Sequence, residues 1–76
     1  SSSLLARAND SWLTTKIKTK LLANNEIASR QIEVVTEGGI VYLMGVVSRS
    51  AADRATTVAS NTGGVIKVVR VFEYLD

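Results

Sequence analysis

The sequence predicts an α+β domain with element order αββαβ, two helices packed on one face of a three-stranded mixed sheet. Three observations carry this reading. An apolar stripe repeats every four residues near the start, a Gly-Gly pair separates two β-rich runs, and a small-residue segment precedes a final β-rich run. A hairpin followed by a right-handed β-α-β crossover sets the last strand parallel to its neighbour and leaves both helices on one side.

Residues 1–9 read as a linker or the remnant of an expression tag with some helical tendency, and 10–76 as the domain. Leu4 and Leu5 either dock on the domain or extend the first helix, and the Ser1-Ser2-Ser3 opening reads as the start of a fragment. Asn9, Asp10 and Ser11 are N-cap residue types able to satisfy orphan amides. The first helix is then expected from Ser11 to Leu22 or Ala23, with Leu13, Ile17 and Leu21 as its buried stripe. Asn24-Asn25 stops it, and residues 26–31 connect onward with Ile27 as a core plug.

Gln31 to Thr36 alternates as a strand, with Ile32, Val34 and Thr36 on one face. Glu37-Gly38-Gly39 is a turn signal, because glycine supplies the positive φ of a tight hairpin. Ile40 to Val47 is the second strand, where Gly45 marks a bulge or the close approach of a helix. Ser50-Ala51-Ala52-Asp53 resembles a capping box opening a helix to about Thr62. Its buried face is Ala52, Ala55, Val58 and Ala59, and Gly63-Gly64 closes it. Val65 to Tyr74 is the third strand.

Composition narrows function. With 76 residues, the chain forms one small domain and its stability is modest, about 5 kcal/mol. There is no cysteine and no histidine, which removes disulfides, a Cys/His zinc site and histidine-based catalysis. The carboxylates Asp10, Glu26, Glu33, Glu37, Asp53, Glu73 and Asp76 fall at caps, turns and solvent faces, so no pair is expected to share a pocket. Neither glycine pair matches a phosphate-cradling loop. No cofactor, metal or catalytic residue is expected. Nucleic acid is an improbable partner: a KH-type Gly-x-x-Gly loop is absent, and Trp12, Tyr42, Phe72 and Tyr74 form no basic aromatic cluster. No apolar run is long enough to span a membrane.

Net charge is +2, but it is unevenly placed. Up to residue 23 the cations Arg7, Lys16, Lys18 and Lys20 face a single anion, Asp10; beyond it, acidic groups slightly outnumber basic ones. An anionic partner would meet the first helix. With Trp12 at zero and about 100° per residue, Leu13, Ile17 and Leu21 occupy the arc from about 100° to 180°. Trp12 points well away from it, and Thr15, Lys16, Thr19 and Leu22 share its side, flanked by Lys18 and Lys20.

Tryptophan favours membrane–water interfaces, and lysines add attraction to anionic lipid. Trp12, Thr15, Lys16, Lys18, Thr19, Lys20 and Leu22 are therefore the candidate lipid-binding residues. Two competing readings stay open: Trp12 covers the sheet edge or stacks on Leu4 and Leu5, or it anchors a protein partner. Elsewhere, Tyr42, Phe72 and Tyr74 are expected to serve packing, Arg49 and Arg54 to line a solvated helix, and Arg70 to sit at an exposed edge.

The stretches Asp10-Ser11-Trp12-Leu13-Thr14-Thr15-Lys16, Thr36-Glu37-Gly38-Gly39, Leu43-Met44-Gly45-Val46 and Gly64-Val65 together resemble the BON domain, across residues 10–75. The first stretch, with Asn9 before it, is similar in particular to the second BON domain of DolP-type outer-membrane lipoproteins. The resemblance implies the αββαβ fold, a non-enzymatic module, an anionic phospholipid membrane surface as partner, and a place in the bacterial periplasm at the inner face of the outer membrane. It carries the lipid-engaging role onto Trp12, Lys16 and Leu22, and implies a preceding BON domain in the full-length protein. Arg70 departs from the family, which often has Asn there, and both a lipidated and a soluble OsmY-type parent fit. The alternative function is a protein–protein module of the envelope using the same helix or a sheet edge.

Overall fold

A computed structural model describes residues 2–24 and 31–76. The elements are α1 (Ser2–Ala23), β1 (Glu33–Glu37), β2 (Ile40–Val47), α2 (Arg49–Ser60) and β3 (Lys67–Tyr74). The sheet order is β1-β2-β3, with β1 antiparallel and β3 parallel to β2. The αββαβ expectation is met. The expected core plug, Ile27, lies outside the described residues.

Helix α1 begins at Ser2, nine residues earlier than the capping pattern suggested. Leu4, Leu5, Ala6, Arg7 and Ala8 are all strong helix formers, and nothing among them stops propagation. Asn9, Asp10 and Ser11 therefore lie inside the helix. Asp10 caps something else: its carboxylate accepts amide hydrogens from Gly38 (2.8 Å) and Gly39 (3.0 Å) at the tip of the β1–β2 hairpin. Both glycines have positive φ, 58° and 79°, as a two-residue type I′ turn requires.

Ile17 and Leu21 of α1 join Val34, Val41, Leu43 and Val47 in one buried cluster, and Leu13, equally buried, lies against Gly64. Ile32, Val34 and Thr36 share the buried face of the first strand, and Ala51, Ala52, Ala55 and Ala59 bring α2 close to the sheet. Phe72 and Val68 flank this core. Among the described residues, no helix covers the other sheet face, which exposes Val35, Val46 and Val71.

Three local expectations are corrected. Helix α2 is capped by Ser48, whose Oγ accepts from the Ala51 amide at 3.1 Å, so it starts ahead of the Ser50 box. It ends through Asn61 in the right-handed region, and the positive φ falls later, at Gly64 (97°). Gly45 (φ 151°) pairs in unbroken register with Phe72, so β2 has no bulge there. What approaches is the Gln31 carbonyl leading into β1, not a helix.

Arg49 is more than a solvated helix residue. Its amide donates to the Asp76 carboxylate at 3.0 Å, and its guanidinium lies 4.3 Å from the Tyr74 ring centroid. Arg70 stands on the exposed edge strand and bonds Asp53 of α2 at 2.7 Å. That hydrogen bond, with a second to the Tyr74 hydroxyl, raises the guanidinium pKa above its ordinary value. Tyr42 and Phe72 are half-buried and Tyr74 is 37% exposed beside Phe72, consistent with packing roles.

Gly45→Ala forces a Cβ into the Gln31 carbonyl at a φ that L-residues rarely adopt, and should cost about 3 kcal/mol in urea unfolding. Gly63→Ala, with nothing within 4 Å of the added carbon, should stay within about 0.5 kcal/mol of the parent.

Candidate functional site

The candidate site is the solvent side of α1. Its rotation is set from beneath: Leu13, Ile17 and Leu21 are at most 1% exposed. A helix whose stripe is locked at this spacing must turn Trp12 outward, and the indole is 59% exposed. It neither fills the core nor is enclosed by Leu4 and Leu5, which are themselves exposed.

Leu22 is 67% exposed and Thr15, Lys18 and Thr19 are exposed, whereas Lys16 is half-buried. The Lys16 Nζ lies 5.7 Å from the Trp12 ring centroid and donates to the Gly63 carbonyl at 3.0 Å. The Lys20 Nζ reaches Thr62 Oγ1 at 3.3 Å. Both ammonium groups thus lean across to the turn between α2 and β3. Their partners are neutral, so the positive charge remains, and each ammonium keeps further donors. Thr15 and Thr19 return their hydroxyls to the Ser11 and Thr15 carbonyls, leaving a small-residue lane between Trp12 and Leu22.

Geometry thus brings Trp12, Lys16 and Lys20 together along one flank, with Thr15, Thr19 and Leu22 on the adjoining side. Lys18 stands apart, about 120° around the helix from Trp12. The wheel missed two contributors. Leu5 falls within about 20° of Trp12 and Leu4 on the direction of Leu22, extending the apolar face by two turns. Reading residues 1–9 as a linker hid them.

A second feature is an open cleft of about 560 Å³ between α1 and β1, lined by Arg7, Asp10, Thr14, Thr36 and Glu37 among others. It puts Asp10 and Glu37 on one concavity, against the expectation that no carboxylates would share one. Asp10 is already engaged by two backbone amides, and Thr14 Oγ1 donates to Thr36 Oγ1 at 2.8 Å. A carboxylate fixed as a turn acceptor is unsuited to proton transfer. Among the described residues there is no group of His, Cys, Asp or Glu able to hold a metal ion, and no helix is long and apolar enough to cross a membrane.

Comparison with known proteins agrees with this architecture. The family model described as "BON domain" matches residues 9–76. A 21 kDa hemolysin of Actinobacillus pleuropneumoniae is 50% identical over 66 residues, covering 87% of this chain and 34% of the relative. The outer membrane lipoprotein DolP of Haemophilus influenzae is 42% identical over 69 residues, covering 91% and 36%. The osmotically-inducible protein Y of Escherichia coli is 42% identical over 62 residues, covering 80% and 31%. The chain therefore spans about a third of the length of these curated relatives.

If the outer face carries no packing role, Trp12→Ala should change folding stability by less than about 0.5 kcal/mol. Leu13→Ala, one residue along but fully buried, should cost about 3 kcal/mol. Thermal and urea unfolding of the two variants side by side measures the difference.

Proposed function

The chain belongs to the BON domain family, and on that premise we propose that it is a non-catalytic phospholipid-binding module of the bacterial envelope. It meets an anionic membrane surface through the outer face of α1. The observation that carries this reading is the exposed Trp12, 59% accessible, with a lysine ammonium 5.7 Å from its ring.

Trp12 and Leu22 enter the headgroup region from one side of the helix, since an indole is both apolar and able to hydrogen-bond there. Lys16, Lys18 and Lys20 supply attraction of about 1 kcal/mol each to anionic headgroups. Thr15 and Thr19 let the helix backbone approach without bulky obstruction. Such a surface gives reversible, peripheral binding, because neither the apolar area nor the charge is large. The periplasm, at the inner face of the outer membrane, is the proposed setting, supported by a relative named as an outer membrane lipoprotein; support of membrane integrity is the proposed role.

The helix-free sheet face favours a second, compatible contact. Val35, Val46 and Val71 are exposed there, and a preceding BON domain in a longer protein is the partner proposed for it. That contact would bury the sheet and leave the Trp12 face free.

Flotation with phosphatidylglycerol vesicles should capture the domain, with capture falling as salt rises and absent on phosphatidylcholine. Trp12→Ala should weaken it about tenfold, the scale of losing one aromatic from an apolar interface. Binding unchanged by Trp12→Ala, or indifferent to lipid charge, would remove the assignment to this helix. Capture of a protein partner that persists without lipid and ignores Lys16→Glu would favour the protein-module reading.

A further inference from the structure

Val65 and Ile66 were expected to open the third strand, yet the strand starts only at Lys67. That leaves Ile66 outside the sheet and 78% exposed, more than Trp12 or Leu22. An isoleucine so open, on a loop held rigidly, needs an account beyond folding.

The loop is held rigidly because it runs back along α1. Lys20 reaches Thr62 and Lys16 reaches the Gly63 carbonyl. Gly64 lies against Leu13, where a Cβ would come 3.1 Å from the leucine Cδ2. The Ile66 amide then donates to the Gly39 carbonyl at 2.9 Å, and Gly39 is in turn bound to Asp10. Residues 62–66 thus shadow α1 from Lys20 back to Asp10, passing the turn that bears Trp12. Ile66 emerges at the hairpin tip, its side chain over Gly39, at the end of the loop that Lys16 and Lys20 hold.

We infer that Ile66, with Lys67 beside it, is a second membrane anchor that acts with Trp12 on the same anionic bilayer. This rests on the lipid reading above and deepens it. Charge complementarity names the occupant: Lys16 and Lys20 hold the loop that leads to Ile66, Lys67 follows it, Asp10 is engaged by the hairpin amides, and Glu37, in the same cross-strand row as Lys67, is a single carboxylate against three cations. Isoleucine supplies apolar depth without a polar end, and tryptophan holds the interface. One anchor lets a helix roll on the surface; two anchors on separate elements fix the domain's orientation. The α1 flank and the loop would then face lipid together while the edge strand's far end, at Glu73, stays in water.

The chain lacks cysteine, so Ile66→Cys and Glu73→Cys each give a single labelling site for an environment-sensitive fluorophore. With phosphatidylglycerol vesicles, label at 66 should brighten and shift blue while label at 73 stays unchanged. Ile66→Ser should weaken vesicle binding about fivefold, for removal of one partly inserted aliphatic side chain, with the melting temperature unchanged. If label at 66 stays dark and Ile66→Ser binds normally while Trp12→Ala still loses binding, the second anchor is wrong and the helix alone engages lipid. If Trp12→Ala and Ile66→Ser both bind as the parent does, the lipid reading falls and takes this inference with it.

Discussion

The rotational setting of α1 governs what this domain presents to its surroundings. Two contacts fix it. The buried Leu13, Ile17 and Leu21 press one side of the helix onto the sheet, and the Asp10 carboxylate clamps the hairpin tip through Gly38 and Gly39. The clamp is specific, because both oxygens are used on adjacent amides of a turn that only positive-φ residues can form. The apolar stripe resists any roll because turning it outward would expose several side chains worth about 1.5–3 kcal/mol each. With the roll removed, Trp12 and Leu22 have nowhere to point except solvent.

The other elements serve this placement. Alanines 51, 52, 55 and 59 let α2 lie close to the sheet, so the loop leaving it can run beside α1. Lys16 and Lys20 then tie helix to loop through Gly63 and Thr62. These ties fix both ammonium groups, that of Lys16 beside the indole, without neutralising them. A lysine paired with a carboxylate would have packed as well but carried no net attraction for an anionic surface. At the other end of the sheet Arg49 holds Asp76, and midway along β3 Arg70 holds α2 through Asp53. The domain thus has an end closed by the Arg49–Asp76 hydrogen bonds and an end whose cations remain open.

Much of the fold was legible because its signals are local. Alternation named the buried faces of β1 and β2, and Gly38-Gly39 named the hairpin. The outward direction of Trp12 and Leu22 followed from helical spacing alone. What was hidden depends on partners distant in the chain. Asp10 looks like a helix cap because the same carboxylate chemistry serves a hairpin amide 28 residues away. Ser48 and Ser50 are equal as cap types, and only the backbone decides between them. Gly45 announces a close approach but not which segment approaches. Ile66 reads as strand from its β-branched side chain, and only the register Ile40↔Lys67 excludes it from the ladder. The neutral tethering of Lys16 and Lys20 has no sequence signature, since carbonyl and hydroxyl acceptors occur everywhere.

The account rests on an indole that is wet in solution and becomes dry on lipid. Its emission is the most direct reading, because Trp12 is the protein's single tryptophan. In buffer the spectrum should lie at the red, solvent-exposed position. On anionic vesicles it should move to the blue and become quenchable by brominated lipid. Emission that is already blue in buffer, or that stays red and unquenched on vesicles binding the domain, would contradict the account.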